Sequence, residues 1–263
     1  MRYRATVAYV GTFFHGWQIQ ENASRTVQAS LEEAAARAAG CPVRVHASGR
    51  TDAGVHAEGQ VVHFDAPERE PGGLVSAINL RLPWDVRVLA IVPADDSFHA
   101  RSDAVAKRYV YRFSRERVIP PRRALFVAPI SPRADPARMA RAAGRLEGER
   151  DFLPFSTAGT ETETTVRRLI ACSVIEAGPE IAIALTADGF LRGMARAIAG
   201  TLSDVARGRR EPEWIDAIFA SRDKALVSTK AKPRGLTLER VFYAGDAGEA
   251  AVGGAFEPGP AVR

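Results

Sequence analysis

Twice along this chain the spacing of apolar residues switches between strand and helix periods in the same order. Tyr3, Ala5, Val7 and Tyr9 alternate with Arg2, Arg4 and Thr6, the two-residue period of a half-buried strand. Residues 26–39 read as a helix: Val27, Leu31, Ala34 and Ala35 form one stripe, and Gly40-Cys41-Pro42 ends it. Strands are expected over residues 43–47 and 58–65, joined by the loop 48–57. A helix over 72–82 and a strand over 86–92 follow. The order then recurs. A strand covers 105–114, and Asp135-Pro136 supplies an N-cap and a first-turn proline for a helix reaching Leu146. Strands over 166–176 and 181–187 flank a turn at 177–180. A long helix over 191–207, a short one over 211–220 and a strand over 236–244 complete the run. Two β-α-β-β-α-β passages predict an α+β fold of two ferredoxin-like halves, residues 1–104 and 105–245, with adjoining antiparallel sheets and a central cleft. The repetition lies only in the order of elements. Residues 246–263, rich in Gly, Ala and Pro, are expected to form a mobile tail.

The 263 residues suffice for one large or two smaller domains. Net charge is +5, and only Lys107, Lys224, Lys230 and Lys232 among the cations are lysines. Arginine offers a fork that matches two phosphate oxygens at once, so an acidic polymer is an admissible partner. The two cysteines, Cys41 and Cys172, make neither a disulfide framework nor a zinc-ligand spacing, which favours a reducing compartment such as the cytoplasm. No apolar run approaches the roughly 20 residues of a membrane helix. The amino terminus lacks the apolar core of a signal peptide.

The segment richest in chemistry is Ser48-Gly49-Arg50-Thr51-Asp52-Ala53-Gly54-Val55-His56-Ala57. Its glycines allow a sharp turn and the close approach of a ligand. A carboxylate beside a guanidinium stays ionised, which suits a nucleophile or a general base. On spacing alone the plainer reading is the better one, with Asp52 capping a turn and Arg50 paired to it for structure. A metal site from His46, Asp52, His56 and His63 matches no standard ligand spacing.

Residues 49–57 resemble the signature of the TruA family of tRNA pseudouridine synthases. Further segments resemble the family in the same order: Gly16-Trp17-Gln18; Thr26-Val27-Gln28; Gly59-Gln60-Val61-Val62-His63-Phe64; Phe98-His99-Ala100-Arg101; Lys107-Arg108-Tyr109-Val110-Tyr111. Phe190, Arg196 and Gly200 match a Phe-x5-Arg-x3-Gly pattern, and Gly235-Leu236-Thr237-Leu238 opens the last strand.

The resemblance implies a pseudouridine synthase fold and isomerisation of uridine at positions 38–40 of the tRNA anticodon stem-loop. It implies a homodimer that needs no cofactor and no metal. It makes Asp52 the catalytic carboxylate, attacking C6 or C1′ or removing a C2′ proton. The uridine must first leave its stack. It assigns Tyr109 to stacking on the flipped uracil and Arg196 to pairing with Asp52 across the cleft. Arg50 displaces the base or binds a phosphate. Arg192, four residues before Arg196, is expected on the same helical face. Tyr111, Phe14 and Trp17 are expected in the core, and His56 and His99 receive no chemistry. The chain departs from the family pattern at Val10, Arg192, Gly193 and Ala197. A non-catalytic RNA-binding protein of the same fold would lack the reason to keep Asp52 with Arg50, Tyr109 and Arg196. A glycosidase-like hydrolase would need a second carboxylate that the loop does not supply.

Overall fold

A computed structural model describes residues 1–22, 24–157, 159 and 162–246. In chain order its elements are β1 (Arg2–Tyr9), α1 (Val27–Ala39), β2 (His46–Ala47), β3 (His56–Asp65), α2 (Pro71–Asn79), β4 (Val86–Ala94), β5 (Ala106–Ser114) and α3 (Pro121–Ala124). They continue with β6 (Ala128–Pro129), α4 (Pro136–Gly144), β7 (Gly148–Asp151), β8 (Val166–Ala177), β9 (Glu180–Ala187), α5 (Met194–Ala206), α6 (Trp214–Ser221) and β10 (Leu236–Phe242). The fold is mixed α+β, with strands paired mostly antiparallel. The expected tail at 246–263 lies, apart from Asp246, outside the described residues.

Helices α1, α2 and α4 start where the sequence offers side-chain acceptors for their unpaired first N–H groups. Thr26 Oγ1 accepts from Ala29 N–H at 3.3 Å, and the Asp135 carboxylate accepts from Ala137 and Arg138 ahead of Pro136. Such a cap contributes about 1 kcal/mol. Glu70 does the same for Gly72 and Gly73, and these two bonds hold its pKa below the usual carboxylate range. The helix expected over 72–82 therefore begins earlier, and it ends at Asn79. There the side-chain amide exchanges two hydrogen bonds with the Val88 backbone, at 2.7 and 2.9 Å, and fixes the start of β4.

The chain forms two compact units. The first comprises Met1–Val105 together with Thr237–Ala244. Its sheet runs β4-β1-β3-β10, and β2 also pairs with β3; all these pairings are antiparallel except that of β3 with β10. The closing strand follows the second half in the chain but belongs to this unit. Thr237 and Leu238 pair with His56 and Ala57, Val105 N–H donates to the Phe242 carbonyl, and Tyr243 Oη donates to the Ala100 carbonyl. The alternation on β1 buries Tyr3, Ala5, Val7 and Tyr9, and α1 adds Val27 and Leu31 to the core.

The strand expected over 43–47 is only His46–Ala47. Val45 N–H donates to the Glu32 carboxylate at 3.0 Å and its carbonyl accepts from the Gln28 side chain at 3.3 Å. Polar side chains of α1 thus take the backbone groups that a sheet ladder would have used.

His63 on β3 is buried, with its ring 4.8 Å from His46 and 4.6 Å from His99, and Nδ1 accepts from Ala100 N–H at 3.1 Å. Burial first, then the neighbouring imidazoles and Arg2, push its pKa down to about 4 from an ordinary 6.5, against an opposing pull from Asp65. A base with a depressed folded pKa contributes stability that is whole above pH 6.5 and lost as pH falls toward 4. The expected loss is about 1–2 kcal/mol, less than the full shift because the exposed His46 ring keeps water close. Urea unfolding at pH 7 and pH 4.5 measures it. If His63→Gln loses as much stability on acidification as the parent, this account of the titration is wrong.

The second unit is built on Ala106–Leu236, with a sheet β5-β9-β8-β7, antiparallel throughout, and β6 parallel to the end of β5. α4 packs on β8 and on α5. Tyr111, Ile181, Ile183, Leu185, Met139, Leu146, Met194, Ile198 and Leu202 are fully buried between them. β6 and β7 escape the sequence pattern because Ala128–Pro129 is too short to alternate and Gly148–Asp151 has no apolar residue.

Candidate active site

The Asp52 loop belongs to the first unit and is gripped from several sides. Tyr9 Oη and Thr51 Oγ1 hydrogen-bond at 2.9 Å below it. Gln60, fully buried on β3, donates to the Gly49 carbonyl at 2.7 Å and accepts from Gly49 N–H at 3.4 Å. Burial pushes the Tyr9 pKa up to about 12, so its hydroxyl keeps its proton at neutral pH. Within the loop, Val55 N–H donates to the Asp52 carbonyl at 3.1 Å, and Gly54 takes a left-handed φ of 81°. Asp52 is half-buried and Arg50 is exposed.

The Gly16-Trp17-Gln18 segment closes the other side. Trp17 N–H donates to the Thr51 carbonyl at 3.0 Å, while the Gly16 and Trp17 carbonyls accept from Val27 and Gln28 N–H at the start of α1. A Cβ on Gly16 would lie 2.8 Å from the Thr51 oxygen, and one on Gly11 only 1.9 Å from the Val55 oxygen. Only a bare backbone fits at either place. Gly11 N–H also donates to His56 Nδ1 at 3.2 Å, so buried His56 holds the loop in place. Phe14 and Trp17 are buried, as core residues should be.

This bracing segment is itself stapled by one ion pair. Asp85, only 3% exposed, accepts from Arg25 at 2.7 and 2.9 Å, and the Arg25 guanidinium lies 4.0 Å from the Phe14 ring centre. Arg25→Ala is expected to destabilise the protein by about 2–4 kcal/mol, because it leaves a buried carboxylate without its partner. Denaturant unfolding of the variant tests this; a change below about 0.5 kcal/mol would place the pair among the inconsequential surface contacts.

Tyr109 and Arg196 belong to the second unit. Tyr109 sits on β5 opposite Leu185, buried, with its ring edge-to-face on Phe190 at 4.8 Å. Tyr111 is wholly buried. Its hydroxyl donates to the Lys232 carbonyl at 2.7 Å, and its ring lies so close to Gly235 that a Cβ there would be 2.7 Å away. Burial pushes the Tyr111 pKa up, while the nearby Arg196 and Arg234 pull against it. Arg196, half-buried on α5, is clamped to the following segment. Its Nε donates to the Ala231 carbonyl at 2.9 Å and its own carbonyl accepts from Ala231 N–H at 3.0 Å. Gly200 permits this, since a Cβ there would lie 2.2 Å from the Thr229 oxygen.

Arg192 is not on the same helix face as Arg196. Gly193, at φ 77°, precedes the first residue of α5, so the helix starts at Met194 and Arg192 stands outside it. Its carbonyl instead receives Thr157 N–H at 2.8 Å and Thr157 Oγ1 at 2.9 Å. Among the described residues no group of three or more His, Cys, Asp or Glu side chains is arranged to hold a metal ion. Both cysteines are free thiols, and burial pushes the Cys172 pKa up.

Sequence reasoning passed over Tyr9, Gln60 and Gly11 as supports of the loop. A fully buried glutamine on a strand is the trace that could have exposed one of them, because such an amide must find partners.

The first unit thus holds a carboxylate, Asp52, on a tightly held glycine-bounded loop, and the second holds a buried strand tyrosine, Tyr109, and a clamped helix arginine, Arg196. The family model described as tRNA pseudouridine synthase matches residues 5–103 and 142–244. A protein named tRNA pseudouridine synthase A from Oleidesulfovibrio alaskensis is 42% identical, over 92% of this chain and 96% of its own. One of the same name from Listeria monocytogenes serovar 1/2a is 40% identical, over 92% of this chain and 99% of its own. The chain belongs to the tRNA pseudouridine synthase family.

Proposed function

We propose that this chain isomerises uridine to pseudouridine in tRNA, at positions 38, 39 and 40 of the anticodon stem-loop, with Asp52 as the catalytic carboxylate. Family membership supports the reaction. The observation that carries the role of Asp52 is its loop, whose backbone is held on both sides of residue 52 by Tyr9, Gln60, Gly11 and the Trp17 N–H before substrate arrives. Preorganisation of this kind lowers the cost of reaching the transition state. Asp52 attacks C6 or C1′, or takes the C2′ proton; the N1–C1′ bond breaks, the uracil turns and C5 bonds to C1′. The bond to Asp52 is then released, or the proton is returned to C2′, while C5 loses its proton and N1 gains one, which restores the free carboxylate. Tyr109 stacks on the displaced uracil, Arg196 pairs with Asp52, and Arg50 assists base displacement or phosphate binding. The protein acts as a homodimer in the cytoplasm, without cofactor or metal.

The two passages of the chain are ferredoxin-like halves in this reading. The strand order β4-β1-β3-β2 in the first unit supports it, since that is the order a split βαβ unit takes. Incubation with an unmodified tRNA transcript, followed by mapping of pseudouridine, tests the function. Product at 38–40 is expected. Product only elsewhere overturns the position, and tRNA binding without any product returns the chain to the class of non-catalytic RNA-binding proteins.

A further inference from the structure

Within the second unit, a cavity of about 240 Å³ opens between the later turns of α5, the short strand β6 and the segment 229–232. Four cations line it, Arg207, Arg209, Lys230 and Lys232, against one carboxylate, Asp204. That carboxylate is already engaged: it accepts from Arg209 at 3.0 Å on one oxygen and from Ser228 Oγ at 2.8 Å on the other. Neither Arg207 nor the exposed Lys232 side chain pairs with a carboxylate among the described residues. Arg207 Nε is buried and meets no hydrogen-bond acceptor among those residues.

The plainer account is that Arg207, at the C-cap of α5, answers the negative end of the helix. It explains a cation at this position. It does not explain why the guanidinium nitrogen is buried with nothing to donate to, because an unmet buried charged donor costs more than an exposed dipole contact returns. A planar donor fork and an ammonium lining one cavity are the donor types that grip tetrahedral oxyanions.

We propose that this cavity is a phosphate-binding subsite in which Arg207 and Lys232 are the principal donors. Its volume lies below the roughly 300 Å³ at which sites for whole small molecules begin, so it takes a phosphate group and not a complete nucleotide with its base. Arg207 is eleven residues beyond Arg196 on α5, about 16 Å along the helix. If the phosphate comes from RNA, it therefore belongs to a nucleotide other than the reacting uridine. That source rests on the function proposed above; free phosphate, the other source, does not.

The test uses the full chain, Arg207→Gln, Lys232→Gln and the double variant. Direct tRNA-binding titrations are run over a range of salt. In parallel, thermal unfolding is followed with and without inorganic phosphate at constant ionic strength. For an RNA phosphodiester, the double variant is expected to bind tRNA about tenfold more weakly at low salt, with the slope of log affinity against log salt reduced by about one. For free phosphate, inorganic phosphate is expected to raise the melting temperature of the parent and not of Arg207→Gln, with the tRNA slope unchanged. Either pattern supports the subsite. Unchanged tRNA affinity and slope together with no phosphate-dependent stabilisation of the parent overturn it. Arg207→Gln removes an unsatisfied buried donor, so it should not lower the melting temperature in buffer alone. Lys232→Gln, on the opposite wall and exposed, supplies the second readout. If the parent binds tRNA and forms no pseudouridine, the proposed function fails while the subsite stands. If it binds no tRNA, the phosphate arm alone decides.

Discussion

Asp52→Asn is expected to abolish pseudouridine formation, by a factor of about 10⁴ or more, while leaving tRNA affinity within about threefold of the parent. The substitution keeps the shape of the side chain, removes its charge and turns one acceptor oxygen into an NH2 donor. Three bonds that hold the loop do not depend on that charge: Val55 N–H donates to the backbone carbonyl of residue 52, and the Gly49–Gln60 and Thr51–Tyr9 contacts do not involve the carboxylate. Asparagine also tolerates turn conformations as well as aspartate does. What is lost is the anionic oxygen that attacks the ring or the sugar. Single-turnover assays with excess enzyme, alongside direct binding measurements, separate the two effects. Substantial product from the variant would remove Asp52 from the chemistry.

Gly11→Ala is expected to reduce turnover by about 10²-fold and to cost about 1–3 kcal/mol of stability. The new methyl carbon would stand 1.9 Å from the Val55 oxygen and 2.5 Å from its carbonyl carbon. Backbone cannot rotate away as a flexible side chain can, so Val55 and the loop before it must move by about 1 Å or more, and Asp52 moves with them. The Gly11 N–H bond to His56 would be strained by the same displacement. Gly144→Ala in α4 is the control, since a Cβ there meets nothing within 4 Å; it should leave turnover unchanged and stability equal or slightly higher. Equal turnover for Gly11→Ala and the parent would show that the close approach does not position the carboxylate.

Much of the architecture was readable in one dimension because its causes are local. Thr26 and Asp135 cap helices with their own side chains, and Gly40, at φ 79°, ends α1 as a left-handed residue. The alternation on β1 is the alternation that the core enforces. The failures have a common physical source, which is competition from partners distant in the chain. Residues 43–45 have strand composition, yet Glu32 and Gln28 claim the Val45 backbone. The apolar pattern of α5 begins at Leu191, yet Gly193 turns the chain and Thr157 takes the Arg192 carbonyl.

The site divides in the same way. The sequence by itself determined that residues 48–57 form a glycine-bounded loop carrying Asp52 and, through the resemblance of its motifs, which family the chain belongs to. Spacing alone left Asp52 as a turn residue, since a turn aspartate and a catalytic one obey the same local rules. The tertiary structure decided what holds that loop. Tyr9 and Gln60 reach it from β1 and β3, Gly11 and Gly16 let a third segment lie against it, and β10 joins the first unit beside β3 although the chain makes it last. The physical reason is that a buried hydroxyl, a buried amide and a bare backbone acquire meaning only from the atoms they face. Those atoms lie some forty residues away for Tyr9 and Gly11, and about 180 for β10.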